Sequence, residues 1–359
     1  MKLKQTKENA ISALGKKQFF KLVCGASLTD VSMVENLSFV YSLAGVHVID
    51  LAPSADVIFA AERGIERALK YSSVHQYIST SAHPLIMASL QLDKDPHFRK
   101  AKVNYDVCDL CNACVKICPT EAFAIERTGE TAMGRIGEER AGGLIYKIER
   151  CFGCGICPEY CHVDAISMVD TKPTPKETLG EMISLGVKSV EFHFGKNFYV
   201  IEEMWNEIKN LVNRFELISF SIGSKLLNDD EIKKAANLCY KLAGKDIILQ
   251  CDGSPMSGAI DKLLRNGNNG DNLSFHVAEI IEREKLPVYL QISGGTNQNS
   301  YMKAIDSGIK INGIAVGSYA RKLLMPYLNN LEDEEVLNEA IQKAKSLVDS
   351  VKKTIEMIK

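Results

Sequence analysis

Phe19 to Leu51, FFKLVCGASLTDVSMVENLSFVYSLAGVHVIDL, places two short apolar runs on either side of a helical pattern. Phe19 to Cys24 reads as a strand. Thr29 and Asp30 supply a helix cap, Val34, Leu37, Tyr41 and Ala44 recur on one helical face, and Gly45 closes the helix before a second strand at Val46 to Leu51. Strand, helix and strand in that order predict a parallel pair joined by a crossover helix. The pattern continues. A helix carrying Val57, Ala61, Gly64 and Ala68 inward leads to a strand at Leu85 to Leu90. Further strands are predicted at Val187 to Phe192, Glu216 to Ile222, Asp246 to Cys251, Pro287 to Ile292 and Ile311 to Val316. Eight strand-helix units in succession predict an α/β protein, a (β/α)8 TIM-like barrel, for which about 250 residues suffice. A helix from Glu332 to Met357, with Leu337, Ile341, Ala344, Val348, Val351 and Ile355 on one face, is expected to pack on the barrel exterior.

The barrel pattern is interrupted after its third strand. Eight of the eleven cysteines lie there: Cys108, Cys111, Cys114 and Cys118 read C-x-x-C-x-x-C-x-x-x-C-P, and Cys151, Cys154, Cys157 and Cys161 repeat that spacing 43 residues further on. Residues 119–125 after the first motif are answered by 162–168 after the second, so the segment is an internal duplication. Two-residue gaps let three thiolates of one loop reach one cubane, while the fourth serves the other cluster, as in two-cluster bacterial ferredoxins. The assignment is therefore crossed. Cys108, Cys111, Cys114 and Cys161 are read as ligands of one 4Fe-4S cluster, and Cys151, Cys154, Cys157 and Cys118 as ligands of a second. Zinc sites bring ligand pairs across a long spacer, and disulfides are rare in a reducing compartment, so neither fits this pattern as well.

The domains read from this organisation are residues 1–96, the first part of the barrel with strands 1–3; 97–172, a ferredoxin-like α+β domain with two clusters; and 173–359, strands 4–8 and the last helix. Thr174-Pro175-Lys176-Glu177 combines a capping residue, a proline at the first helical position and a capping-box glutamate at the return to the barrel. An insert that leaves the third strand at its carboxyl end must lie over the catalytic face of the barrel. Where the first motif has Pro119 after its fourth cysteine the second has His162, read as a surface histidine beside the cluster rather than a ligand. Glu126 to Gly143, rich in glycine and charge, reads as a solvated excursion or a partner-docking arm.

The 359 residues are 46% hydrophobic and 25% charged, with a formal net charge of -2, which gives no basic field to hold nucleic acid or an anionic membrane. No stretch approaches the ~18 consecutive apolar residues of a membrane span, and the first residues have no secretory pattern, so a cytoplasmic protein is expected. At the predicted barrel mouth, Gly294 and Gly295 after the seventh strand and Gly317 and Ser318 after the eighth are read as a site for FMN or another phosphate-bearing ligand, or as plain strand-to-helix turns. Cys24, Asp50, His193, Gln250, Asp252 and Gln291 are the other polar residues at strand ends, each read singly as structural. Cys24, Cys239 and Cys251 lack metal spacing and are expected to be buried. No catalytic residue is readable.

The run Phe19 to Ala68, the DPHFRKA segment at Asp95 to Ala101, the paired cysteine motifs and the SGGTN and VGSYAR turns together resemble the cyanobacterial light-dependent period protein family, LdpA, over nearly the whole chain. The resemblance implies an iron-sulfur redox sensor that reports photosynthetic electron transport to the circadian clock. It implies clock or other signalling proteins as partners and the eight cysteines as cluster ligands; quinone or ferredoxin is read as the electron donor of such a sensor. The alternative is a barrel oxidoreductase passing electrons from the clusters to a bound flavin or phosphorylated substrate.

Overall fold

The computed structural model describes residues 2–75, 83–125, 143–171, 174–223, 227–253 and 271–352. From the amino terminus the chain forms α1 (Lys2–Gly15), β1 (Phe19–Gly25), α2 (Val31–Ala44), β2 (Val48–Leu51), α3 (Ala55–His75) and β3 (Leu85–Gln91). The cysteine segment follows as β4 (Arg99–Val103), α4 (Ala113–Ile117), β5 (Phe123–Ile125), β6 (Leu144–Tyr146), α5 (Ile156–Glu159) and β7 (Ile166–Asp170). The chain then runs α6 (Pro175–Ser184), β8 (Ser189–His193), α7 (Val200–Val212), β9 (Leu217–Gly223), α8 (Asp229–Ala243) and β10 (Ile248–Asp252). It ends with α9 (Asp271–Arg283), β11 (Tyr289–Ser293), α10 (Ser300–Asp306), β12 (Gly313–Val316), α11 (Ser318–Leu324) and α12 (Glu334–Val348).

Eight strands close a barrel in the order β1-β12-β11-β10-β9-β8-β3-β2, every pair parallel. All eight predicted strands are present, most beginning one or two residues later than the apolar runs. Val46, Val187, Ile247 and Ile311 explain the offset, because each is buried before its strand enters the ladder. The strand pleat then divides the core into two. Outward-facing Phe20, Leu22, Ile49, Val190, Phe192, Phe220, Leu249 and Ile292 join the helices in one large apolar cluster. Inward-facing Phe19, Val48, Leu85, Met87, Leu217 and Ile248 form a second at the amino-terminal end of the barrel, with Ala10, Ala13 and Leu14 of α1 packed into it. That helix had no counterpart in the sequence reading. It plugs the floor of the barrel.

The first crossover helix is capped as its sequence demands. Asp30 Oδ1 accepts from Met33 N at 3.0 Å, and Gly45, at φ 91°, donates its N–H back to Tyr41 and Ser42. Helices α2 and α3 approach so closely at Gly64 that a Cβ there would sit 2.3 Å from Glu35 O and 2.9 Å from Phe39 N. Gly64→Ala is expected to lower stability by about 1–3 kcal/mol through this overpacking; a urea midpoint equal to wild type would show that the helices part freely. The capping box expected at Thr174 does not form. Its side chain caps no helical N–H, and Thr178 Oγ1 instead donates to Thr174 O at 2.7 Å. The box is found on α8, where Asn228 and Glu231 exchange bonds. The carboxyl-terminal helix is shorter than its periodicity suggested, ending at Val348 before a 3₁₀ turn at Asp349–Val351. Leu337, Ile341, Ala344, Val348 and Val351 are buried against the outside of the barrel, while Ile355 lies outside the described residues.

His47 stacks on Phe19 with ring centres 5.8 Å apart, and its Nδ1 accepts from Phe20 N at 3.1 Å. Burial, with Lys352 nearby, pushes this imidazole down to about 4. An unfolded chain takes up the proton near pH 6.5, before the folded one does, so stability present at neutral pH is lost as the pH falls from about 6.5 to 4. The full effect is about 3 kcal/mol. His47→Gln keeps an acceptor for Phe20 N and is expected to flatten this part of the pH dependence; denaturation of both proteins at pH 7 and pH 5 with equal losses would refute the assignment.

Candidate functional site

The two halves of the cysteine segment have the same build. Each has a 3₁₀ turn entering the cysteine loop, Tyr105–Val107 or Ile148–Arg150, then a one-turn helix, α4 or α5. The left-handed residues also repeat: Leu110, Asn112 and Glu121 in the first half correspond to Gly153, Gly155 and Asp164 in the second, all at φ between 53° and 76°. These turns curl the loop around its sulfurs and aim backbone N–H groups inward. Ala122 N donates to Cys118 Sγ and Ala165 N to Cys161 Sγ, each at 3.2 Å. The strands pair across the halves, β4 with β7 and β5 with β6, both antiparallel.

This exchange brings the cysteines together in two sets of four. One small cavity is lined by Cys108, Cys111, Cys114 and Cys161, with Leu110, Leu144, Val163 and Ile166 around them. The other is lined by Cys118, Cys151, Cys154 and Cys157, with Ile117, Phe123, Phe152 and Ile156. Four thiols in an apolar surround, with backbone donors on the bridging cysteines, form a donor set suited to a cubane. Burial pushes the Cys114 and Cys154 thiols up to about 11 and Cys157 higher still, so these sulfurs would have to shed protons to bind iron. His162 faces Asp109, Nε2 to Oδ2 2.8 Å, and both are well exposed. Of the Glu126–Gly143 stretch, residues 126–142 lie outside the described residues.

The second cavity rests on the barrel mouth. Phe152, one of its walls, is part of the main apolar core, and the Arg321 guanidinium lies 4.5 Å above its ring. Arg150 Nε donates to the α2 cap Asp30 at 2.9 Å, and Thr29 N to Glu149 O at 2.9 Å. Lys100 Nζ reaches the carbonyls of Ser27, Ile148 and Cys151, tying a cysteine loop to the loop after β1. At the glycine turns, Gly294 and Gly295 are both left-handed. Buried Arg321 donates to Val23 O at 2.8 Å, Cys24 O at 2.7 Å and Ser318 Oγ at 3.2 Å, and among the described residues nothing accepts from its Nε. The Gly317–Ser318 turn thus surrounds a buried guanidinium. Cys24, Cys239 and Cys251 are buried; burial pushes Cys24 up to about 12.

Sequence reasoning missed the polar heart of the barrel. Lys21 Nζ meets Glu191 Oε2 at 2.5 Å across the interior, with β2 and β3 between their strands, and both side chains are buried. Glu191 also accepts from Ser219 Oγ at 2.6 Å and Gln250 Nε2 at 2.9 Å, and His193 Nε2 lies 3.2 Å from its Oε1. Gln291 Nε2 donates to Gln250 Oε1 at 2.7 Å, and Ser89 Oγ to Asp50 Oδ1 at 2.7 Å. Asp50, His193, Gln250, Asp252 and Gln291, read singly as structural, therefore converge with Lys21 and Glu191. Burial, reinforced by Glu191 and opposed by Lys21, raises the Asp50 carboxyl to about 6. Burial opposes the Glu191 charge too, yet Lys21 and His193 hold it below the usual carboxylate range. The signal was available: Lys21 and Glu191 are lone charges inside apolar strand runs, at positions the pleat turns inward.

A (β/α)8 barrel carrying an iron-sulfur segment is the class these features define, and residues 107–166 match the 4Fe-4S dicluster domain. Residues 182–359 match the light dependent period A C-terminal domain, and the chain is 27% identical over 369 residues to Light dependent period A of Synechococcus elongatus, covering 96% of this chain and 94% of that protein. The chain is thus similar over almost its whole length to light dependent period A. Among solved structures, the YdjI aldolase of Escherichia coli K12 aligns over 98% of this chain and 95% of its own at 10% identity and a TM-score of 0.41. Deoxyribose phosphate aldolase of Aeropyrum pernix aligns over 91% and 98% at 11% identity and a TM-score of 0.40. No described helix is long and apolar enough to cross a membrane.

Proposed function

We propose that this chain is a cytoplasmic redox sensor. It holds one 4Fe-4S cluster by Cys108, Cys111, Cys114 and Cys161 and another by Cys118, Cys151, Cys154 and Cys157, and it reports the state of the quinone or ferredoxin pool to circadian-clock or other signalling proteins. The observation that carries the reading is the pair of cavities, each lined by three cysteines of one repeat and the fourth of the other. Bound clusters supply one-electron exchange. The chain's own groups transmit the change. A switch needs an interaction that differs between two states, and Lys100, bonded at once to Cys151 O, Ile148 O and Ser27 O, lies where a change of charge beside Cys151 is felt by a barrel loop. The likeness to a protein whose name refers to light and period supports clock proteins as the partners.

Anaerobic purification with iron and sulfide counting is expected to find about eight irons per chain. Pull-downs under reducing and oxidising conditions are expected to recover different partners. Identical partner sets would overturn the sensor.

A second reading, a barrel oxidoreductase with FMN or a phosphorylated substrate at Gly294, Gly295, Gly317 and Ser318, draws on the buried Arg321, whose Nε has no partner among the described residues. Flavin absorbance retained by the purified protein would favour it over the sensor.

A further inference from the structure

Asp95 and His97 lie on the link from β3 into the cysteine segment, where it crosses the barrel mouth, and His193 ends β8. A ligand atom of each stands within 4.8 Å of the others. Asp95 and His193 are buried, and the His97 side chain is 22% exposed, leaving a path to solvent. Two features exceed what a structural ion pair needs. His193 Nε2 stands 3.2 Å from Glu191 Oε1, and its other ring nitrogen, the buried Nδ1, has no partner among the described residues. Leaving it so costs about 1–3 kcal/mol unless something binds there. His97 has carboxylates on both sides, Asp95 Oδ1 2.5 Å from Nδ1 and Asp252 Oδ2 3.5 Å from Nε2. Asp50, Asp95, Glu191 and Asp252 thus gather around two imidazoles and the buried Lys21.

We infer that Asp95, His97 and His193 bind a divalent first-row transition metal at the barrel mouth, separate from the cysteine cavities, with Asp252 beside it. Two imidazoles and a carboxylate suit Zn²⁺, Fe²⁺ or Mn²⁺, whereas Ca²⁺ and Mg²⁺ favour oxygen donors. With bonds of about 2.0–2.2 Å, donors on one ion stand about 3–4 Å apart, a spacing small side-chain rotations reach from the present arrangement. Glu191 behind His193 plays the part of the carboxylates that orient metal-bound histidines. The ion would fill the free Nδ1 valence. Phe98, next to His97, packs edge-on against His193 at 5.4 Å, and Arg99 Nε donates to Gly153 O at 3.0 Å, so the same link that supplies two ligands touches a cysteine loop.

The test is equilibrium dialysis of anaerobic, cluster-bearing protein against Zn²⁺, with zinc and iron measured together by mass spectrometry. Wild type is expected to retain about one zinc per chain with its iron unchanged, and both His193→Gln and Asp95→Asn to lose zinc affinity by about 10–100-fold or more. Unchanged iron content and circular dichroism identify folded variants, and either variant alone suffices. No retained zinc, zinc gained only as iron is lost, or equal zinc in a folded variant would each overturn the site.

Discussion

Cys114→Ala and Cys161→Ala are expected to remove the same cluster, although 47 residues separate the two positions in the chain. Both cysteines line the cavity of Cys108 and Cys111, whereas Cys118, which precedes Cys161 by one repeat, lines the cavity of Cys151, Cys154 and Cys157. Each single variant should fall from about eight irons to about four. After reduction, Cys114→Ala and Cys161→Ala should leave one and the same electron paramagnetic resonance spectrum, and Cys118→Ala and Cys157→Ala should share a different one. The two remaining spectra differ for a physical reason. Cys111 is exposed, while the cavity of Cys157 is walled by Phe152 under the Arg321 guanidinium, and solvation and nearby charge tune a cluster. Different spectra from Cys114→Ala and Cys161→Ala would refute the crossed arrangement.

Local signals carried the barrel, and long-range closure hid its interior. Asp30 and Gly45 bound a helix through bonds within a few residues of themselves, so the sequence around Phe19–Leu51 reads directly as strand, helix, strand. The cysteine loops were equally plain, because ligand spacing within a turn is a local property and the duplication repeats it. The network at the mouth is different. Lys21 and Glu191 are 170 residues apart, and only the closing of eight strands puts one opposite the other. His97 and Asp252 meet for the same reason. Each looks in sequence like a polar residue beside a turn, and its meaning lies in which strand ends share the mouth. Helix α1 was missed because its apolar contribution is small, Ala10, Ala13 and Leu14 in a polar stretch, and is explained only by the floor it plugs. The failed cap at Thr174 shows the limit of a motif, since its backbone, at φ -135° and ψ 60°, does not bring the side chain onto the helical N–H groups.

Glu191→Gln is expected to destabilise the protein by about 3–5 kcal/mol, since it leaves Lys21 as a buried charge without its counter-ion. The glutamine keeps the size of the side chain and can still accept from Ser219, so the loss reports charge and hydrogen bonding rather than volume. Lys21→Met should cost a similar amount for the mirror-image reason: the Glu191 charge stays buried beside Asp50, whose carboxyl the same lysine holds down. Restoring neutrality changes the outcome. In Lys21→Met/Glu191→Gln no unpaired charge remains at this pair, and removing both members of a buried ion pair is often neutral or stabilising where removing one is not. The double variant is therefore expected to be more stable than either single one, which requires a coupling of more than about 3 kcal/mol by urea denaturation. Additivity of the two losses to within about 0.5 kcal/mol would mean that the pair is not coupled and that the barrel interior admits enough water to screen it. A strong coupling would instead establish a dry interior, in which Glu191 holds His193 in one tautomer and keeps its Nδ1 directed away from the ion pair.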